Sequence, residues 1–148
     1  MIVYVDSSVL LRVVTRAPGA LARWREITRP VSSELIRLEC YRTIDRVRIV
    51  WGLSADEVLE RLSAVKERLD AFDLVPLDAV VLERAAEPFP TTLGSLDAVH
   101  LASALLARRR FPDIVLATHY VELATGARAM GLPVLGTPAA RAGASSRA

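Results

Sequence analysis

The sequence predicts an α/β fold, a parallel β-sheet with helices on both faces. Two observations carry this. Short apolar, mostly β-branched or leucine-rich runs (IVYV at the start, then FDLVPL, DIVLAT and LPVL) recur along the 148 residues. Between them lie segments with helix caps, helical periodicity and Gly or Pro stops. Strands that alternate with helices in this way pair in parallel.

Taken in order, IVYV is a buried strand ending at Asp6. Ser7 and Ser8 can cap a helix that runs to about Arg16, before Pro18-Gly19 stops it. A short helix around Leu21 to Ile27 follows, then a brief extended piece near Pro30 and Val31. Ser32 or Ser33 opens a long helix, roughly Glu34 to Val50, which Gly52 terminates. Ser54 caps the next helix, with Asp56 and Glu57 in its first turn, and that helix reaches about Leu69. FDLVPL is a second strand. Asp78 starts a helix lasting to about Glu87, with Pro88 and Pro90 beyond it.

The PTTLGS loop leads into an apolar helix that ends in Arg108-Arg109-Arg110, cations placed where the helix dipole favours them. DIVLAT is a third strand, Tyr120 to Met130 a helix stopped by Gly131, and LPVL a final strand. Residues 1–136 read as one domain, and 137–148, composed of Ala, Gly, Ser, Arg, Thr and Pro, as a flexible C-terminal tail. No internal repeat is visible.

Composition narrows the function classes without choosing one. The chain is 52% apolar and 24% charged, with a formal net charge of +2, which suits a soluble globular domain. Lys66 is the sole lysine among 19 basic residues, so the cations are arginines, whose planar forks suit phosphate. The single cysteine, Cys40, rules out an intrachain disulfide and a cysteine-based zinc site. The apolar N-terminus is broken by Asp6 and Arg12 and does not read as a signal peptide. No window approaches the ~18 uninterrupted apolar residues of a membrane helix. A cytoplasmic protein without membrane contact is expected.

In parallel sheets the site forms beyond the carboxyl ends of the strands, where strand order reverses. Asp6 lies on that edge. Three phosphate-handling classes that begin this way fail on sequence. A haloacid-dehalogenase-type phosphatase needs a second acid where Ser8 stands, a receiver domain needs a lysine after a late strand, and a P-loop needs a Gly-rich turn ending in Lys. Two further acids sit at apolar-to-polar boundaries. Glu39 shares a helix face with Arg42 and Arg46 at i, i+3 and i+7, where an exposed Glu39–Arg42 pair would contribute a few tenths of a kcal/mol. Asp97 begins an apolar helix in GSLDAVHLASALL. An acid there either stabilises the first turn or belongs to a cluster that binds something positive.

The run D-S-S-V-L at Asp6, the segment S-E-L-I-R-L-E-C-Y-R containing Glu39 and Arg42, and L-G-S-L-D-A-V-H-L-A-S-A-L around Asp97 resemble the PIN domain. More narrowly, they resemble the VapC-type toxins of bacterial and archaeal toxin–antitoxin pairs, from Met1 to about Gly136. The resemblance implies a PIN-like fold and a metal-dependent endoribonuclease that hydrolyses RNA phosphodiester bonds and curbs translation. It implies carboxylates gathered around magnesium, or manganese, with Asp6 and Asp97 as direct ligands and Glu39 as ligand or outer partner through water. Hard cations prefer such oxygen donors, and without one the mutual repulsion should leave an acid protonated.

Arg42 and Arg46 then either hold the incoming phosphate or pair with Glu39. Ser8 either orients Asp6 or a water, or caps the first helix. His100 is expected to be a packed, hydrogen-bonded residue rather than a ligand. A cognate antitoxin that neutralises the toxin and a homodimer are further implications, with the first helices as either dimer surface or core.

One departure stands out. The family often carries a fourth acid after the next strand, and in A-T-H-Y-V-E-L-A that position is Tyr120. Glu122 lies about 200° around the helix from it and is expected to point away. Asp113 is roughly 15 Å back along the strand. Thr118 can offer its hydroxyl to a water. Tyr120 either marks a site short of one carboxylate, or stacks on an RNA base, or is an ordinary tyrosine at a helix start. The alternative reading is a degenerate PIN domain that binds RNA or a protein partner without cleavage.

Overall fold

The computed structural model describes residues 1–138, so the tail expected over 137–148 lies, from residue 139 on, outside the described residues. The elements are β1 (Ile2–Val5), α1 (Ser7–Val14), a 3-10 turn (Trp24–Glu26), β2 (Arg29–Ser33), α2 (Leu35–Trp51), α3 (Ala55–Leu69), β3 (Asp73–Val75), α4 (Ala79–Ala86), α5 (Ser95–Arg110), β4 (Val115–Ala117), α6 (Val121–Ala129) and β5 (Val134–Leu135). All five strands are parallel, in the order β3-β2-β1-β4-β5. The chain therefore steps outward from β1 in one direction, then returns to the other side at β4. Strand order reverses between β1 and β4, which places a crevice at their carboxyl ends.

Strand alternation divides the core. Val3 and Val5 face one side, where they pack with Val9 and Leu10 of α1, Ile36, Cys40 and Ile44 of α2, and Val65 and Leu69 of α3. Tyr4 faces the other side, with Val31, Leu101, Ala104, Leu116, Leu123 and Ala127. α5 buries Ala98, Ala102, Ala104 and Ala107 completely or nearly so, and these small side chains let a two-sided helix lie close to the sheet. α1 turns Val9 and Leu10 into the core, while Leu11, Val13 and Val14 are only partly buried.

Local signals account for several helix ends. Ser54 accepts from the Glu57 backbone while the Glu57 carboxylate accepts from the Ser54 backbone, a reciprocal cap on α3. Asp78 caps α4 by accepting from Val81 N at 3.0 Å. Gly52 ends α2 at φ 64°, a left-handed conformation that favours glycine.

Three expectations shift. The helix placed at Leu21 to Ile27 is only the 3-10 turn Trp24–Glu26, because the segment is too short to nucleate an α-helix and has no side-chain cap. The extended piece near Pro30 is a full inner strand, paired to β1 and to β3. Its proline is tolerated because β3 joins the ladder only from Val31 onward. Just past 136, Thr137 Oγ1 donates to the Thr118 carbonyl in the loop after β4 at 2.6 Å, a contact within the stretch expected to be tail. Among the described residues, no helix is long and apolar enough to cross a membrane.

Candidate active site

Asp6 leaves β1 at the strand-order reversal, and its backbone N–H donates to Ala117 O at 3.0 Å, locking it against the end of β4. It is also the N-cap of α1, so its carboxylate meets the positive end of that helix. Only 1% of Asp6 is exposed. A buried carboxylate requires donors, and they are present. Oδ2 accepts from Ser8 N at 3.3 Å, from Ser8 Oγ at 2.5 Å and from Thr118 Oγ1 at 2.9 Å. Oδ1 accepts from Ser7 Oγ at 3.4 Å.

The expected cap therefore moves from Ser7 or Ser8 to Asp6. Ser8 is free to orient Asp6, and its own oxygen accepts from His119 N at 3.0 Å. The Thr118 hydroxyl proton, expected to serve a water, goes to Asp6 instead, while its oxygen accepts from Tyr120 N at 3.0 Å.

Glu39 reaches in from α2 and meets His100 of α5, with 2.6 Å between Oε2 and Nε2. His100 Nε2 also stands 3.6 Å from Asp6 Oδ1. Ligand atoms of Asp6, Glu39 and His100 all lie within 4.8 Å of one another. Asp97, in the first turn of α5, is adjacent to this set but not part of it. Burial raises its carboxyl above the ordinary range, and the Asp6, Glu39 and Glu122 charges add to that while His100 opposes it. His100 is pulled both ways: burial pushes the imidazole down, and the Glu39 hydrogen bond with the Asp6, Glu39 and Asp97 charges outweighs it, so the net direction is up.

No Arg or Lys among the described residues forms an ion pair with Asp6, Glu39 or Asp97. Oxygen donors with uncompensated negative charge fit a hard divalent cation. Arg42, expected to hold phosphate or pair with Glu39, pairs with Asp45 at 3.0 Å instead, and Asp45 also binds Arg48. Burial explains the choice: Glu39 points inward, whereas the Arg42 side chain is 68% exposed. Arg46 is exposed and acts on Tyr120. The half-buried Tyr120 phenol is pushed up by burial and by the Asp6, Glu39 and Asp97 charges, with Arg46 opposing, so it borders the acidic cluster.

Glu122, expected to point away, is exposed in the first turn of α6 and stands outside the 4.8 Å cluster, and its charge adds only the last contribution to the upward push on Asp97. Residue reasoning also passed over Tyr4, whose hydroxyl lies 2.9 Å from His100 Nδ1. The available signals were the i, i+3 spacing of Asp97 and His100, and the alternation that turns Tyr4 away from Val3 and Val5.

A family model described as the PIN domain matches residues 3–111. Ribonuclease VapC35 of Mycobacterium tuberculosis (strain ATCC 25618 / H37Rv) is 33% identical over 144 residues, covering 94% of this chain and 99% of the relative. Ribonuclease VapC46 of the same strain is 31% identical over 137 residues, covering 90% and 95%. Among solved structures, the crystal structure of VapBC2 from Rickettsia felis bound to a DNA fragment from their promoter matches with a TM-score of 0.63 at 12% identity. That match covers 90% of this chain and 97% of the other, a likeness of fold.

Proposed function

The chain belongs to the PIN-domain family, and from that premise we propose that it is a VapC-like ribonuclease toxin. In this reading it hydrolyses RNA phosphodiester bonds with a divalent metal, curbs translation, and is neutralised by a cognate antitoxin. One observation carries the reading: Asp6, Glu39 and His100 present ligand-type atoms within 4.8 Å of one another, beside Asp97 and without an Arg or Lys partner among the described residues. The relatives named ribonucleases support the reaction, and the neighbour from a VapBC complex supports the antitoxin.

Asp6 and Asp97 are the proposed direct ligands of Mg²⁺ or Mn²⁺, with Glu39 as ligand or outer partner. When bound, the ion supplies charge that offsets the carboxylates, polarises a phosphodiester oxygen and makes a bound water more acidic. The protein's own part is to hold these acids in place. Ser7, Ser8 and Thr118 fix Asp6 by hydrogen bonds from three directions.

Tyr120 and Arg46 at the rim are proposed to meet RNA, the ring through base stacking and the guanidinium through phosphate. Arg42, with most of its side chain in solvent, would add a second cation to the same approach. The antitoxin is proposed to offer an arginine to the carboxylates, drawn by the same uncompensated charge. The proposal includes a cytoplasmic homodimer, whose mass sedimentation analysis checks. The exposed apolar side chains Ile49, Val50 and Trp51 at the end of α2 support a protein-binding face.

A ribonuclease assay with Mg²⁺ or Mn²⁺ tests the central claim. Cleavage by the wild type and its loss in Asp97→Asn are expected. Equal cleavage by both proteins points to a contaminating nuclease and removes the assignment.

A further inference from the structure

A buried hydrogen-bond chain runs from β1 to the site and ends on Glu39. Tyr4 Oη lies 2.9 Å from His100 Nδ1, and His100 Nε2 lies 2.6 Å from Glu39 Oε2. Tyr4 and His100 are both 0% exposed, so no bulk water can replace either partner. We propose that His100, oriented by Tyr4, is a positioning residue that holds the Glu39 carboxylate for the metal and is not itself a ligand. The inference rests on the metal-site reading above.

The direction of each bond follows from the groups. An ionised carboxylate only accepts, so at 2.6 Å His100 Nε2 carries the proton and donates to Glu39. In the neutral ring that leaves the lone pair on Nδ1, and the Tyr4 O–H donates to it. Burial pushes the Tyr4 phenol far up, so it keeps that proton. In the charged ring Nδ1 donates to Tyr4 instead, and Nε2 still donates to Glu39. In both states Nε2 has no lone pair for a cation, which separates His100 from the ligands despite its place in the same 4.8 Å cluster.

The bridge has a mechanical role as well. Glu39 belongs to α2 and His100 to α5, helices packed on opposite faces of the sheet. Their contact ties the two layers together at the crevice. It occupies Oε2 and leaves Oε1 as the Glu39 oxygen without a hydrogen bond among the described residues. Nε2–H also stands between Glu39 and Asp6, 3.6 Å from the latter, where its positive end tempers the repulsion of the two acids. Partners that orient metal ligands in this manner typically govern affinity by about 10- to 100-fold.

Titration calorimetry of Mn²⁺ into the metal-free protein tests this, with thermal melts in EDTA to confirm folding. His100→Gln keeps an N–H near the Nε2 position, whereas His100→Asn shortens the side chain and withdraws it from Glu39. The Asn variant should lose about 10- to 100-fold in Mn²⁺ affinity, with Gln recovering most of it. Tyr4→Phe, which preserves shape and removes the hydroxyl, should fall between wild type and Asn and serves if the Asn variant does not fold. Unchanged affinity in both His100 and Tyr4 variants overturns the positioning role. Equal loss in folded Gln and Asn variants makes His100 a ligand and overturns it too. Failure of the wild type to bind Mn²⁺ at all defeats the underlying site reading, a result distinct from either.

Discussion

Thr118 Oγ1 donates to Asp6 Oδ2 at 2.9 Å, joining residues 112 positions apart at the point where strand order reverses. Both groups are buried, and the acceptor is a carboxylate that bulk water barely reaches. A hydrogen bond to a charged acceptor contributes about 1.5–3 kcal/mol. Thr118→Val keeps the shape and deletes the donor, so urea denaturation should show a loss of about that size. Ser8→Ala, which removes another donor to the same oxygen, should act in the same direction. A Thr118→Val protein as stable as the wild type would show that Asp6 is held without this bond.

Asp97 lies in a field that favours its neutral form: burial first, then the Asp6 charge, with Glu39 and Glu122 adding and His100 opposing. A carboxyl raised in the folded state stabilises the fold fully below its unfolded pKa, and that contribution is lost as pH rises through the folded value. In EDTA at pH 7, above the ordinary carboxylate range, holding a charge on Asp97 is therefore a burden. Asp97→Asn should melt at a higher temperature than the wild type there, with the difference shrinking as pH falls below the ordinary carboxylate range. Adding Mn²⁺ should reverse the ranking, since ligand binding stabilises only the protein that binds. A metal-free Asn variant less stable than wild type at pH 7 would contradict the electrostatic account.

Much of this arrangement can be read from residue order alone. Asp6 follows a β-branched run, Ser54 and Glu57 announce a capping box, Asp78 precedes a helix, and Gly52 ends one. Strand–helix alternation then assigns Asp6 to the functional edge. Convergence of Glu39 and Asp97 on that edge is different, because it depends on which helix crosses which face, and only the family resemblance suggested it. Pairings decided by burial were the least legible. Arg42 has a carboxylate one turn away on each side, Glu39 and Asp45, and sequence spacing treats them alike. Inward rotation of α2 at Glu39 removes it from Arg42 and delivers it to His100, a partner 61 positions away.

Cys40 adjoins Glu39 but faces the core, fully buried beneath α1 and β1. Burial pushes its thiol up to about 12, with the Glu39 and Asp6 charges adding to the shift. A thiol so placed is neither exposed nor a thiolate at pH 8, and both conditions are needed for rapid disulfide exchange. An aromatic disulfide reagent should leave the native protein unmodified and label a single thiol in denaturing urea. Rapid labelling of the native protein would place Cys40 outside the core.

Tyr120 occupies the position where the family often carries a fourth acid, and burial, joined by the Asp6, Glu39 and Asp97 charges, pushes its phenol up. A carboxylate introduced there would enter an already negative region. Tyr120→Asp should therefore lower the melting temperature in EDTA, because a further charge must be held against Asp6, Glu39 and Asp97. With Mn²⁺ present the same charge becomes an additional oxygen donor, and RNA cleavage should rise. Tyr120→Phe provides the contrast, retaining a ring for base stacking while adding no charge, and should cleave about as well as the wild type. If the Asp variant cleaves no better than wild type in Mn²⁺, the site is not short of a carboxylate.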